Sequence, residues 1–132
     1  MSHISVCFAV YQNQGALTPL YQQITHELTT NFPEDTYELL FVNDGSKDGS
    51  LAELIELNKL DSHVKIISFS RNFGQMAAIL AGWENATGDV VINMAADLQD
   101  PPKQCTEMIK EWKAGNEIVI SYRISHGTSA AK

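Results

Sequence analysis

Apolar positions along this chain alternate between two periods. Short runs with a period near two, or apolar throughout, are separated by stretches where apolar residues recur at helical spacing. Ile4 to Tyr11 (ISVCFAVY) reads as a buried strand. Thr18-Pro19 opens a helix, with Thr18 as N-cap and Pro19 in the first turn, and Leu20, Ile24 and Leu28 form its apolar face. Tyr37 to Asn43 is the second strand, and the turn Asp44 to Ser50 leads into a helix bearing Leu51, Leu54 and Ile55. Val64 to Ser70 is the third strand, followed by a helix from Gly74 to Ala86 with Gly88 as its C-terminal cap. Val90 to Met94 is the fourth strand. Asp100 then caps a helix that starts at Pro101-Pro102 and carries the stripe Cys105, Met108, Ile109, Trp112. Gly115 ends that helix and Ile118 to Tyr122 is a fifth strand, after which Arg123 to Lys132 is polar and carries no core signal. Trp83 and Trp112 fall on apolar helix faces and are expected in the core, whereas the four histidines are scattered and expected in solvent. The alternation predicts βαβ units: an α/β domain with a Rossmann-like, mostly parallel sheet and flanking helices.

Sheets of this kind bind ligands beyond the carboxyl ends of their strands, where the strand order reverses. The rule selects Tyr11–Gly15, Asn43–Asp48, Ser70–Gln75 and Ala95–Asp100, all polar and rich in small residues. At Asn43-Asp44-Gly45-Ser46 a carboxylate can accept a hydrogen bond from a ring N–H, and glycine lets the backbone approach a flat ligand. Asp44 capping its own turn, with Ser46 or Asp48 capping the next helix, has equal weight there. Asp97 and Gln99 alternate along what reads as an extended segment, which points both side chains to one side. Hard cations such as Mg²⁺ or Mn²⁺ use one or two carboxylates together with diphosphate oxygens and water, so Asp97 is the candidate metal ligand, and Asp100 is structural. Arg71 and Arg123 suit a diphosphate, although Arg71 suits a neighbouring aromatic ring equally well. Tyr11 can stack on a base.

Composition narrows the function classes. The chain has 132 residues, nine Lys+Arg against sixteen Asp+Glu, and a net charge of −7. That balance, with no basic stripe, argues against nucleic acid as a partner. No apolar run approaches the roughly 18 to 20 residues needed to span a bilayer. The start, Met1-Ser2-His3, lacks a signal-peptide pattern, so the cytoplasm is the expected compartment. Cys7 and Cys105 each lie in an apolar run without CxxC or histidine spacing, and are expected to be buried thiols rather than a disulfide or metal site.

Together these segments resemble glycosyltransferase family 2, in particular its polyprenyl-phosphate branch of dolichyl-phosphate mannosyltransferases and undecaprenyl-phosphate sugar transferases. The resemblance runs from Ile4 to Arg123 and is most specific from Phe69 to Pro102, where Arg-Asn-Phe-Gly precedes Ala-Asp-Leu-Gln-Asp-Pro-Pro. It implies a nucleotide-diphospho-sugar transferase fold of the GT-A type and inverting transfer of a sugar from a UDP- or GDP-sugar to a lipid phosphate. By position it assigns Ala9, Tyr11, Asn13, Asn43, Asp44, Ser46 and Asp97 to the nucleotide, Arg71 and Arg123 to the diphosphate, and Asp97 with Gln99 to a divalent cation, Mg²⁺ or Mn²⁺.

Several positions depart from the family's pattern. Its Pro-x-Tyr-Asn-Glu reads Ala9-Val10-Tyr11-Gln12-Asn13, its Asp-Asp-Gly-Ser reads Asn43-Asp44-Gly45-Ser46, and its Asp-x-Asp reads Ala95-Ala96-Asp97. Gln75 stands where a basic residue is common. The lost carboxylate at Ala95 implies weaker metal affinity. The resemblance also implies that residues 1–123 are the donor-binding part of a longer, truncated enzyme at the cytoplasmic face of a membrane, with residues 124–132 a polar tail or the start of an acceptor-binding half. The catalytic base is expected in that missing half, and the surface it would cover favours a homo-oligomer. The alternative is a non-catalytic nucleotide-binding or regulatory domain of the same fold with a degenerate metal motif. A phospho-receiver is excluded, because Gln12-Asn13, Ser70-Arg71 and Arg123 stand where it needs an acidic pair, an aspartate and a lysine. A Rossmann dehydrogenase is excluded because no GxGxxG follows the first strand.

Overall fold

A computed structural model describes residues 1–115 and, as backbone, two short strands at 123–125 and 128–130. The elements are β1 (His3–Val10), α1 (Leu17–Asn31), β2 (Thr36–Asn43), α2 (Ser50–Leu60), β3 (Val64–Ser68), α3 (Gln75–Asn85), β4 (Val90–Ala95), α4 (Pro102–Lys113), β5 (Arg123–Ser125) and β6 (Thr128–Ala130). The first four strands form a parallel sheet in the order β3-β2-β1-β4. The predicted fifth strand, Ile118–Tyr122, lies outside the described residues. β5 and β6 pair antiparallel within a segment that the sequence reads as a featureless polar tail. Pairing satisfies backbone groups without apolar side chains, so polar composition does not reveal it.

β1 is central and apolar on both faces, as parallel strands covered by helices on both sides must be. Ile4, Val6, Phe8 and Val10 join Leu39, Phe41, Ile92 and Met94 in one core with Leu17, Leu20, Ile24 and Leu28 of α1 and Cys105 and Ile109 of α4. Phe8 and Phe41 stack across neighbouring strands with ring centroids 4.7 Å apart. On the opposite face α3 lies over β1 and β2, and Gly82 sits against Cys7 and Val42.

That second face is only partly covered. α3 buries Ala78 and Gly82, while Met76, Leu80 and Trp83 are exposed. Trp83 is therefore not a core residue as expected: it is 53% exposed, because small residues make the contact with the sheet. Trp112 is half-buried. Ile55 also faces outward, since α2 turns Ser50, Leu54 and Leu57 inward instead.

Three expected caps are replaced by other contacts, two of them between distant segments. α1 begins before Thr18, whose N–H and hydroxyl both donate to Glu53 of α2, at 2.8 and 2.7 Å. The Glu53 carboxylate thus meets the orphan donors and positive end of its neighbour helix. Asp100 does not cap α4, which starts from an extended Pro101; its carboxylate accepts the Ala95 N–H at 3.2 Å. Gly88 does not end α3, which stops at Asn85 with Ala86 extended, and its N–H donates to the Ser5 hydroxyl oxygen at 2.8 Å. Ser5 belongs to a network under the sheet around Glu38, a carboxylate only 4% exposed. Glu38 accepts from the Ser5 hydroxyl at 2.6 Å and from the Thr87 N–H and hydroxyl at 2.7 and 3.0 Å. Burial opposes its charge, but these bonds outweigh burial and hold its pKa below the ordinary glutamate value.

Both cysteines are buried and free, as expected. Burial, reinforced by Glu38, pushes the Cys7 thiol up to about 11, and burial pushes Cys105 up to about 12. Neither is a thiolate at neutral pH, so neither is poised as a nucleophile.

Candidate functional site

The sheet order changes direction at β1, with β2 and β3 on one side and β4 on the other. Beyond the carboxyl ends of these strands lies a cleft of about 400 Å³. Its walls are Ala9–Tyr11 and Asn13 from the end of β1, Asp44 after β2, Asn72, Gly74 and Gln75 before α3, and Ala95–Asp97 at the end of β4. All four loops selected from the sequence contribute. Volume and position suit a nucleotide-sized ligand at the switch point.

Two of the motifs are physically one unit. Asp44 is buried, and its Oδ1 accepts the Phe73 N–H at 2.7 Å. Its Oδ2 accepts the Gly74 N–H at 3.1 Å and the Asn72 side-chain amide at 3.0 Å. Gly45, at φ +67°, presses against the Arg71–Asn72 peptide so closely that an added Cβ would lie 2.2 Å from the Arg71 carbonyl carbon. The Asn-Asp-Gly-Ser turn therefore carries the Arg-Asn-Phe-Gly loop, and the Asp44 carboxylate holds the start of α3 at the cleft.

The loop after β1 is held from beneath by the segment after β2. The Gln12 N–H donates to the Ser46 hydroxyl oxygen at 2.9 Å, Asn13 to Ser50 at 2.9 Å, Gln14 to Asp48 at 3.3 Å, and Gly15 to Glu53 at 2.8 Å. The Tyr11 N–H is taken by the Asn13 side chain at 2.9 Å. Ser50 holds the Asp48 carboxyl below its ordinary value, with a further contribution from the Gln14 N–H. With these N–H groups committed within the loop or to Ser46, Asp48, Ser50 and Glu53, side chains and carbonyls are what this loop can offer a ligand. Asp48 accepts the first N–H of α2, from Ser50 at 2.9 Å, as expected of a helix cap, and the second Asp-Gly-Ser, Asp48-Gly49-Ser50, also braces the loop after β1 together with Glu53, which carries no local sequence signal for that role. Repetition of the tripeptide was the available signal.

The segment after β4 is not extended. Leu98 adopts φ +66°, and the Asp97 carboxylate accepts the Gln99 N–H at 3.1 Å in a tight turn. The left-handed residue between them breaks the alternation that would have put Asp97 and Gln99 on one side. Asp97 lines the cleft, and Gln99 is exposed and is not part of its wall.

The structure thus gathers Ala9, Tyr11, Asn13, Asp44 and Asp97, and adds Asn72, Gly74, Gln75 and Ala95. Asn43 and Ser46 lie behind the wall: Asn43 donates to the Ser68 hydroxyl oxygen at 3.2 Å and accepts the Ser46 N–H at 3.3 Å. The Arg71 guanidinium lies 4.6 Å from the centre of the Phe73 ring, and Arg71 is not part of the cleft wall. The Arg123 side chain lies outside the described residues. Among the described residues no group of three or more His, Cys, Asp or Glu side chains converges as a metal cage. No helix among them is long and apolar enough to cross a membrane.

Comparison with known proteins agrees with this geometry. Residues 5–131 match the model for glycosyl transferase family 2. The chain is 44% identical over 119 residues to YkcC of Bacillus subtilis (strain 168), named an uncharacterized glycosyltransferase, and covers 90% of its own length but only 36% of that protein. Among solved structures it resembles a Pyrobaculum calidifontis mannosyltransferase in complex with GDP-Man and Mn²⁺, with TM-score 0.64 and 19% identity over 76% of this chain and 33% of that one. It also resembles S. aureus TarS in complex with UDP-GlcNAc, with TM-score 0.62 and 20% identity over 83% of this chain and 31% of the other. The fold is that of GT-A glycosyltransferases, spanning about a third of the length of these relatives. By its family match over nearly the whole sequence, the chain belongs to glycosyl transferase family 2.

Proposed function

We propose that the chain is the donor-binding part of an inverting glycosyltransferase that moves a sugar from UDP or GDP to a polyprenyl phosphate at the cytoplasmic face of a membrane. The observation that carries this reading is the cleft at the strand-order switch, where Tyr11, Asn13 and Asp44 share one cavity with Asp97. Tyr11, 45% exposed at the rim, offers a flat ring for base stacking, and Asn13 an amide for base or ribose. Asp44 keeps the Gly74–Gln75 wall in place. Asp97 lines the same cleft on its β4 side, where its carboxylate would meet a diphosphate-bound cation. The acceptor preference rests on the motif pair Arg71–Gly74 and Ala96–Pro102.

One exposed carboxylate, with hard oxygen donors, fits Mg²⁺ or Mn²⁺ in the mode where diphosphate and water complete the shell. When bound, such a cation supplies charge to a departing nucleoside diphosphate. In the transfer an acceptor phosphate oxygen bonds to the anomeric carbon as the bond from that carbon to the diphosphate oxygen breaks. The chain's contribution is to bind and orient the donor.

The test is calorimetric titration with UDP and with GDP, each with and without Mn²⁺, on the chain and on Asp97→Ala. One nucleotide should bind with Mn²⁺, and the variant should lose the metal-dependent part; unchanged affinity in the variant would remove Asp97 from the site. A second reading, a non-catalytic domain of the same fold, is favoured by Ala95, whose methyl group lines the cleft where the family's motif places a carboxylate. Failure of both nucleotides to bind the folded protein would support it.

A further inference from the structure

Among the described residues, two that are not glycine have left-handed backbones, Gln12 at φ +54° and Leu98 at φ +66°. They stand in the two loops that flank the strand-order switch, one beside Tyr11 and Asn13 and the other beside Asp97. Gln12 is exposed, and its N–H is held by Ser46. Leu98 is different, because a leucine has no side-chain hydrogen bond to compensate for this conformation. What holds it is packing: its side chain is half-buried against the main apolar core.

The consequence is geometric. A left-handed residue after Asp97 folds the chain back so that the Asp97 carboxylate reaches the Gln99 N–H. The same turn is closed at its base by the Asp100 carboxylate on the Ala95 N–H. Asp97 is thereby held at the cleft wall with one carboxylate oxygen committed to the turn. An extended backbone at Leu98 would release both contacts and swing the carboxylate away.

We propose that Leu98 is a positioning residue: its core-anchored side chain and left-handed backbone hold the Asp97 carboxylate toward the diphosphate and cation. This rests on the donor-binding reading above and deepens it. With a single carboxylate available at this wall, orientation must do what a second ligand would otherwise do. Leu98 is expected to matter for metal-dependent binding although it is not part of the cleft wall.

Leucine, methionine and isoleucine differ little in size and apolarity, but β-branched isoleucine tolerates a positive φ worst. The experiment measures the gain in nucleotide affinity on adding Mn²⁺, and separately the affinity without metal, for wild type, Leu98→Met and Leu98→Ile. The Gln99 amide exchange rate is followed in all three. Leu98→Met should keep the Mn²⁺ gain. Leu98→Ile should keep metal-free affinity and a cooperative fold but lose about tenfold of the gain, with faster exchange at Gln99. Should Leu98→Ile unfold, Leu98→Gly, which accepts the backbone but lacks the anchor, serves as the second variant and should lose a similar part of the gain. A folded Leu98→Ile with the full gain, or equal losses in Leu98→Met and Leu98→Ile, would overturn the inference alone. A wild type that binds neither UDP nor GDP would overturn the donor-binding reading and this inference with it, and one that binds but gains nothing from Mn²⁺ would overturn this inference alone.

Discussion

Replacing Gly45 by alanine should uncouple the two motifs that build the cleft. The new Cβ would lie 2.2 Å from the Arg71 carbonyl carbon and 2.3 Å from the Asn72 nitrogen, against an ordinary contact of 3.4 Å or more. The Arg71–Asn72 peptide must therefore retreat by about 1.2 Å, the difference between 3.4 and 2.2 Å. The neighbouring bonds from Asp44 to the Phe73 and Gly74 N–H groups, now 2.7 and 3.1 Å, would then pass beyond hydrogen-bonding distance. Alanine at φ +67° adds about 1 kcal/mol of backbone strain. Losing bonds to a charged carboxylate costs about 1.5 to 3 kcal/mol each, reduced here because the parted groups can rehydrate. A total of about 3 to 5 kcal/mol follows, a large fraction of the stability of a domain this size. Gly74→Ala is the control: Gly74 is also left-handed, at φ +103°, but its added Cβ meets nothing within 4 Å. With ψ at 156° its backbone lies in a region essentially reserved for glycine, so alanine there should cost about 1 to 3 kcal/mol, the conformational penalty alone. Urea unfolding followed by tryptophan fluorescence measures both. Equal losses in the two variants would refute the claim that Gly45 is there for close approach.

Other residues give shorter tests. Glu38→Gln should destabilise by about 1 to 3 kcal/mol at pH 7, because the amide satisfies only part of the Ser5–Thr87 network. Glu38 has a folded pKa below the ordinary 4.5, so its contribution is present above that value and is lost as pH falls through the folded pKa. The variant's stability should accordingly fall less steeply below pH 4.5 than the wild type's in unfolding curves taken across acid pH. Glu53→Ala should cost about 2 kcal/mol by leaving the Gly15 and Thr18 donors to water. Its amide exchange should quicken at residues 12–18 while the β1 core stays protected; uniform acceleration would contradict a local clamp.

Much of this architecture was legible because parallel strands covered on both faces are written as apolar runs. β1 to β4 and the helices between them follow the periodicity within a few residues, and the switch-point rule selected the four loops that wall the cleft. What escaped was contact between distant segments. Thr18, Asp100 and Gly88 carry the local marks of caps, yet their groups bond to Glu53, Ala95 and Ser5 instead. Asn43 and Ser46 adjoin Asp44 in sequence, but their hydrogen bonds run to Ser68, to each other and to the Gln12 N–H, contacts that local sequence does not reveal. The left-handed Leu98 had no sequence signal, since leucine is among the residues least expected there. Trp83 reads as core on its own helix, and only the small-residue packing of α3 against β1 and β2 shows that its side faces out.

The claim that the switch-point cleft is the donor site is tested most directly by amide chemical shifts of the labelled protein during titration with UDP or GDP in the presence of Mg²⁺. The largest changes should fall on Tyr11, Asn13, Gly74, Gln75 and Asp97, which surround one cavity but come from three loops. Changes centred instead on Gln22, His26 and Lys103, in the separate groove between α1 and α4, or no saturable change at all, would contradict it.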